Sequence, residues 1–353
     1  MGDLSIIPFC DRVTWNATVK SFANYDVYYL NEYVSAFRYA NDGLPLLLYY
    51  RGDSMRLCYA VQQRDIAEDE RFHGILEPGR YSDWATPYGY GGPLTDRFNQ
   101  PDLKEFFRLL LEYCRSNRIV SQFIRFHPLL QNQRGFEQFC APRKLKQTVF
   151  IDTSTRQTID VNLEARSRSA IKKAEKNAVV IQISKGKEAQ AEFIVLYRET
   201  MERRNAGGYY RFSNDFFNDF FENMAGYFDL YRAVLAGRTV SAAIILRCNG
   251  TLHYHLSASD WAYRSYAPNN LLLYTAACRG AEDGYTRFHL GGGVDIEDSL
   301  LLFKKSFNRH GLIDFYIGHT IFCEEAYREL LELRAAANPQ FQKENPFMIQ
   351  YRY

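Results

Sequence analysis

The seven cysteines of this chain stand singly, at positions 10, 58, 114, 140, 248, 278 and 323. An odd count with no Cys-x-x-Cys pair excludes a disulfide framework and gives no recognisable zinc site. His253 and His255 alternate on a predicted strand and face one side, but no third ligand stands at a metal-binding spacing. No stretch of about eighteen apolar residues exists to cross a bilayer. The opening residues, Met1-Gly2-Asp3-Leu4-Ser5, carry no basic region running into an apolar one, so no signal peptide is expected and the cytoplasm is the expected compartment. Charge of one sign is also lacking: the net value is +2, so binding to nucleic acid or membrane requires a local patch. No glycine is followed by Lys-Ser/Thr, and no Gly-x-Ser-x-Gly or Cys/His nucleophile pattern appears, which excludes a P-loop and the common hydrolase signatures.

What remains is an aromatic-rich globular chain. Its 353 residues are 46% hydrophobic and 24% charged, with 26 Tyr and 26 Phe. The length favours two domains. Segments 44–50 and 55–61 read as a hairpin across Arg51-Gly52-Asp53-Ser54. Segment 102–117 has helical spacing, and 121–127 and 147–151 are strand candidates. The rhythm then repeats: helix 162–177 with a basic face, strand 179–184, helices 187–203 and 213–224, a hairpin of 228–236 and 239–248, strand 251–257, helix 269–283 and strand 286–290. Segment 324–336 is a last helix. Two α/β domains with mixed sheets follow from this order.

The segment Phe288-His289-Leu290-Gly291-Gly292-Gly293-Val294-Asp295 is the most informative. An apolar run ends in three glycines, where the chain must turn sharply or admit a close neighbour. An amphipathic helix follows, with Asp298 and Ser299 as N-cap candidates, and delivers Lys304 and Lys305 beside the glycines. A cation against bare backbone suits a carboxylate, a phosphate or a developing oxyanion.

These residues bear a family likeness. The glycines with Phe303-Lys304-Lys305-Ser306-Phe307 resemble the signature of the Fem-type peptidyltransferases, which add amino acids to peptidoglycan precursors. Tyr88-Gly89-Tyr90-Gly91-Gly92-Pro93-Leu94-Thr95-Asp96 resembles that family's first-domain turn. Ser167-Arg168-Ser169-Ala170-Ile171-Lys172-Lys173-Ala174 resembles the Arg-containing helix that opens its second domain, and Ala267-Pro268-Asn269-Asn270-Leu271-Leu272 also fits. The resemblance implies two tandem domains of the GNAT acyltransferase fold, over 1–150 and 151–319, with a C-terminal segment from about 320 to 353 packing back on the first. It implies transfer of an acyl group, usually aminoacyl from tRNA, onto a primary amine of a nucleotide- or lipid-linked sugar precursor.

From its surroundings in sequence alone Lys304 reads first as a solvated lysine on a helix face; the resemblance reverses that and places it at the reacting centre. Asp96 matches a family acid near the amine, and is otherwise an ordinary turn residue. Arg168, with Lys172 on the same helix face, is expected to meet the acceptor's phosphates, although a solvated basic face explains both. Tyr88 and Tyr90 are expected to line the cleft, with Phe303, Gly292 and Gly293 near the substrate. No metal or bound cofactor is expected, and aminoacyl-tRNA or acyl-CoA is the co-substrate. The stretch matching the usual GNAT pyrophosphate cradle, Tyr263-Arg264-Ser265-Tyr266-Ala267-Pro268-Asn269-Asn270, lacks glycine, and Pro268 has no N–H, which favours aminoacyl-tRNA. An acyl-CoA-dependent enzyme acting on amino sugars and a non-catalytic ligand-binding relative are the alternatives.

Overall fold

The computed structural model describes residues 2–40, 42–293 and 299–353. The chain divides into two compact units, Met1–Leu145 with Phe315–Tyr353, and Lys146–Asp314.

In the first unit, β1 (Asp3–Pro8), α1 (Arg12–Lys20) and α2 (Asn31–Ala36) precede a hairpin of β2 (Leu44–Arg51) and β3 (Arg56–Asp65). β4 (Ser82–Ala85), β5 (Leu94–Thr95), α3 (Gln100–Ser116), β6 (Ile119–Arg125) and α4 (Glu137–Cys140) follow. β1 to β4 run as an antiparallel meander, with β5 beside β3 and β6 parallel to β4. The helix α3 forms where the sequence favours it. The Asn99 side chain accepts the Asp102 amide at 3.0 Å, Pro101 fits the first turn, and Leu103, Phe106, Leu110 and Cys114 recur at helical spacing on the buried face.

The second unit begins within β7 (Arg143–Asp152) and continues through α5 (Arg156–Asn162), α6 (Ala165–Lys176), β8 (Val180–Ile183), α7 (Lys187–Arg203) and α8 (Asn214–Asn223). Then come β9 (Phe228–Leu235), β10 (Arg238–Cys248), β11 (Thr251–Ser259), α9 (Pro268–Glu282), β12 (Arg287–Gly292) and α10 (Ser299–Lys305). β8 to β11 form an antiparallel meander, β12 lies parallel to β11, and β7 closes antiparallel to β12. The first sheet is closed in the same way by β13 (Leu312–Ile321), antiparallel to β6. The last helix, α11 (Glu324–Ala337), buries Ala326, Tyr327 and Leu330 among Ile66, Phe72 and Val120.

Both units therefore follow one plan: a four-strand meander, a fifth strand parallel to the fourth, and an antiparallel sixth. The sheets are mixed and the class is α/β, as the element rhythm implies.

Three expectations need correction. The helix expected over 162–177 is α6, which starts only at Ala165; a separate helix, α5, ends at Asn162, and the two are parted at Leu163 and Glu164, whose backbones are extended. The break is fixed from a distance, since the Glu164 amide donates to the Ser306 carbonyl at 2.9 Å. The glycines do not turn the chain at once. Gly291 and Gly292 continue β12 through a bulge, with Gly291 at φ 74°. A Cβ on Gly292 would lie 2.9 Å from the Gln147 carbonyl oxygen, so the close neighbour that glycine admits is the adjacent strand. Of the two N-cap candidates, Ser299 is the first residue of α10 and Asp298 lies outside the described residues.

Candidate active site

The second unit brings Lys304 to the end of β12. Lys304 lies in the last turn of α10 with only 7% of its surface exposed, and its Nζ donates to the Gly292 carbonyl at 2.6 Å. The Tyr254 ring centroid, on the neighbouring β11, is 5.8 Å from that nitrogen. A second cation meets the same loop, for Lys146 Nζ donates to the Gly293 carbonyl at 2.7 Å. Two ammonium groups thus sit on consecutive carbonyls of a glycine segment, where no side chain intervenes. Lys146 is a residue that sequence reading missed; nothing in Arg143-Lys144-Leu145-Lys146 marks it out.

Around this pair the polar groups are buried. His253 and His289 pack edge-to-face with ring centroids 5.7 Å apart, and His289 Nε2 is 3.0 Å from Thr148 Oγ1. Burial pushes the Tyr254 hydroxyl above its ordinary pKa, while a hydrogen bond with Ser257 and the charge of Arg204 pull it the other way. Phe303 packs against the unit's core and edge-to-face on Phe307 at 5.3 Å, which makes it a packing residue.

The basic helix is tied to the lysine helix. Ser167 and Ser306 share a buried hydroxyl contact, and the Arg166 guanidinium donates to the Leu302 carbonyl. Arg168 and Lys172 belong to a cavity that Lys304 does not line, one of about 250 Å³ shared with Arg156, Asp160, Glu175 and Tyr274. Within it the Arg168 guanidinium donates to the Leu163 carbonyl at 2.9 Å, steadying the end of α5. Tyr274 donates to Asp160 at 2.7 Å.

In the first unit the Tyr33 hydroxyl donates to the Tyr88 carbonyl at 2.8 Å, and the Tyr88 ring stacks on Phe37 at 5.3 Å. Tyr90 lies edge-on to Tyr28 at 5.5 Å and to Phe315 at 5.2 Å, and burial raises its hydroxyl pKa. These aromatics shape the Gly89–Pro93 loop from within. Asp96 borders a cavity of about 390 Å³ with Arg51, Arg56 and Arg97. It accepts from the Arg56 amide at 2.9 Å and from Arg56 Nε at 2.7 Å. Partial burial raises its pKa, but the Arg56 hydrogen bonds outweigh this and hold the carboxyl below its usual range. A carboxylate so held is a weak proton acceptor, which favours an orienting over a proton-accepting part for this acid.

The start of α9 bears on the donor. Ala267 stands in the left-handed region at φ 55°, Pro268 contributes no N–H, and the Asn270 amide already donates to the Ala267 carbonyl at 3.1 Å. Few amides are left there to cradle a pyrophosphate.

Residues 162–305 match the Acetyltransferase (GNAT) domain family. A crystal structure of FemX is similar over 93% of this chain and 99% of its own, with a TM-score of 0.66 and 14% identity. The fold is that of a Fem-type tandem GNAT protein. L-PGS from Bacillus licheniformis is similar over 93% of this chain and 98% of its own, at a TM-score of 0.55 and 13% identity. A conserved protein of unknown function from Bacteroides thetaiotaomicron VPI-5482 covers 91% of this chain and 100% of its own, at 0.58 and 14%. No curated protein matches the sequence. In the tandem GNAT arrangement Lys304 falls within the matched segment, one residue from its end. Among the described residues no helix is long and apolar enough to cross a membrane.

Proposed function

We propose that this chain is an N-acyltransferase that moves an aminoacyl group from tRNA to a primary amine of a nucleotide- or lipid-linked cell-wall or surface-polysaccharide precursor. The observation that carries the reading is the buried Lys304 cation held on the Gly292 carbonyl inside a GNAT domain. The neutral amine attacks the ester carbonyl carbon, and the carbonyl oxygen takes the negative charge. Lys304 stabilises that oxyanion in a desolvated setting, where a fixed charge acts more strongly than in water. As the C–N bond forms and the C–O bond breaks, the proton leaves the amine and passes to the departing ribose oxygen. Asp96, paired with Arg56, fixes the β3–β5 edge in this scheme and does not take the proton. The cavity with Arg168 and Lys172 offers cations for acceptor phosphates.

The poor amide supply at the start of α9 supports an aminoacyl ester over acyl-CoA as donor. Losing one preorganised oxyanion partner typically raises the barrier by about 2.7–4 kcal/mol. Lys304→Met is therefore expected to lower turnover by roughly a hundredfold or more. Labelled aminoacyl-tRNA and acetyl-CoA, tested separately against a panel of amine-bearing precursors, decide the donor. Unchanged turnover in Lys304→Met overturns the mechanism, and transfer only from acetyl-CoA overturns the donor. Failure of every donor, with specific precursor binding retained, would make the chain a binding protein.

A further inference from the structure

Trp261 opens a 3-10 turn, Trp261–Tyr266, that joins β11 to α9. It is 57% exposed, whereas Trp15 and Trp84 are completely buried. Two guanidiniums lie against its ring: that of Arg264 at 4.4 Å from the centroid and that of Arg203, from the end of α7, at 5.9 Å. Arg264 is held there by its hydrogen bond to the Trp261 carbonyl at 3.0 Å. The end of α7 is fastened to the end of β11, since the Ser259 amide donates to Thr200 Oγ1 at 3.0 Å. The same turn carries Tyr263, with the Arg238 guanidinium 5.6 Å from its ring, and Arg238 is the one of these cations paired with an acid, Asp260, at 3.0 Å. Arg203, Arg204 and Arg264 make no ion pair among the described residues. The chain leaving α7 also exposes Tyr209 and Tyr210.

We infer that this surface binds the single-stranded 3′ end of the aminoacylated RNA, its bases stacking on Trp261 and the flanking guanidiniums and its phosphates meeting Arg203, Arg204 and Arg264. The inference rests on the function proposed above and gives that function's donor a place. An exposed aromatic ring among unpaired arginines is the combination single-stranded nucleic acid uses, because every base has a stacking face and every linkage a negative charge. Net charge is nearly neutral, so this is the local patch that such binding requires. The patch and the reacting centre share one strand: β11 carries Tyr254, whose ring is 5.8 Å from Lys304 Nζ, and runs on into the Trp261 turn.

Trp261, the one exposed tryptophan, provides the readout. Titrating the full chain with a short ribonucleotide ending in cytidine-cytidine-adenosine is expected to quench its fluorescence saturably, and less so as salt rises. By anisotropy of the labelled ribonucleotide, Trp261→Ala should bind about tenfold or more weakly and Trp261→Phe nearly as well as the parent. Arg203→Ala should reduce the salt slope by about one. With aminoacyl-tRNA, Trp261→Ala should raise KM for the donor and leave KM for the acceptor in place. Quenching by acetyl-CoA or uridine diphosphate with none by RNA overturns the inference, as does equal RNA affinity in Trp261→Ala. The two readings fail separately. Lys304→Met is expected to bind the ribonucleotide normally while losing turnover. RNA-dependent transfer with an unchanged donor KM in Trp261→Ala leaves the function standing and removes the platform.

Discussion

Lys304 owes its position to glycine as much as to its own helix. The carbonyl that holds it belongs to Gly292, and the bulge before it needs Gly291 at φ 74°. An L side chain in that left-handed conformation costs roughly 1–2 kcal/mol. Gly291→Ala is therefore expected to lower the unfolding free energy by about that amount in urea titration, and to depress turnover further by displacing the Gly292 carbonyl. An unaltered urea midpoint would show that the bulge tolerates a side chain. At this scale the sequence was legible where chemistry has few alternatives. Three successive glycines before a lysine announce a cation on bare backbone, and the neighbouring strand at 2.9 Å from a would-be Cβ explains Gly292. Lys146 and Trp261 were not legible, because the contacts that single them out are with partners 147 residues away in one case and on another helix in the other.

Among the elements, the hairpin of β9 and β10, the helix α7 and the helix α11 were legible to within a residue or two, since each carries its own periodicity and its own stop. β13 was not foreseen, although Phe315 and Ile317 alternate inward. Its mixed, half-buried pattern gains meaning only from pairing with β6. The split between α5 and α6 depends likewise on Ser306, more than a hundred positions downstream. The C-terminal 3-10 turn, Gln350–Arg352, shows what such distant contacts contribute. Arg352 donates twice to Asp83, at 2.9 and 2.8 Å, and to Asp69 at 2.7 Å, while the Tyr351 hydroxyl donates to Asp83 at 2.8 Å. Burial alone would raise the Asp83 pKa, but the charges of Arg352 and Arg64 outweigh it and bring it from 3.8 down to about 2. Because the folded value lies below the unfolded one, this stabilisation is complete above about pH 4 and fades as pH falls towards 2. It amounts to about 2 kcal/mol. Arg352→Met leaves the buried Asp83 carboxylate with Arg64 as its remaining charged partner, at 2.8 Å, and is expected to cost about 3 kcal/mol at pH 7 by thermal or urea unfolding, the low end for a broken buried ion pair. The deficit should shrink at pH 2–3. A constant deficit across that range would locate the effect in packing.

For the whole molecule, the two units differ in how they are written along the chain. The second is one continuous stretch, Lys146–Asp314, with its own core, whereas the first is assembled from Met1–Leu145 and Phe315–Tyr353. A fragment of residues 146–314 is expected to express solubly and unfold cooperatively, as followed by circular dichroism during urea titration. A fragment of residues 1–145 lacks β13 and α11, so β6 keeps an open edge and Ile66, Phe72 and Val120 lose their cover. It is expected to aggregate or remain largely unfolded, and a soluble, cooperatively folding 1–145 would show that the closing strand is dispensable.

The late arrival of β13 also orders events on the ribosome. The opening 145 residues emerge first yet cannot complete their sheet until Leu312–Ile321 has been translated. The segment made later closes earlier, and the nascent 1–145 segment spends that interval with an unsealed strand, the period in which a chaperone has most to protect.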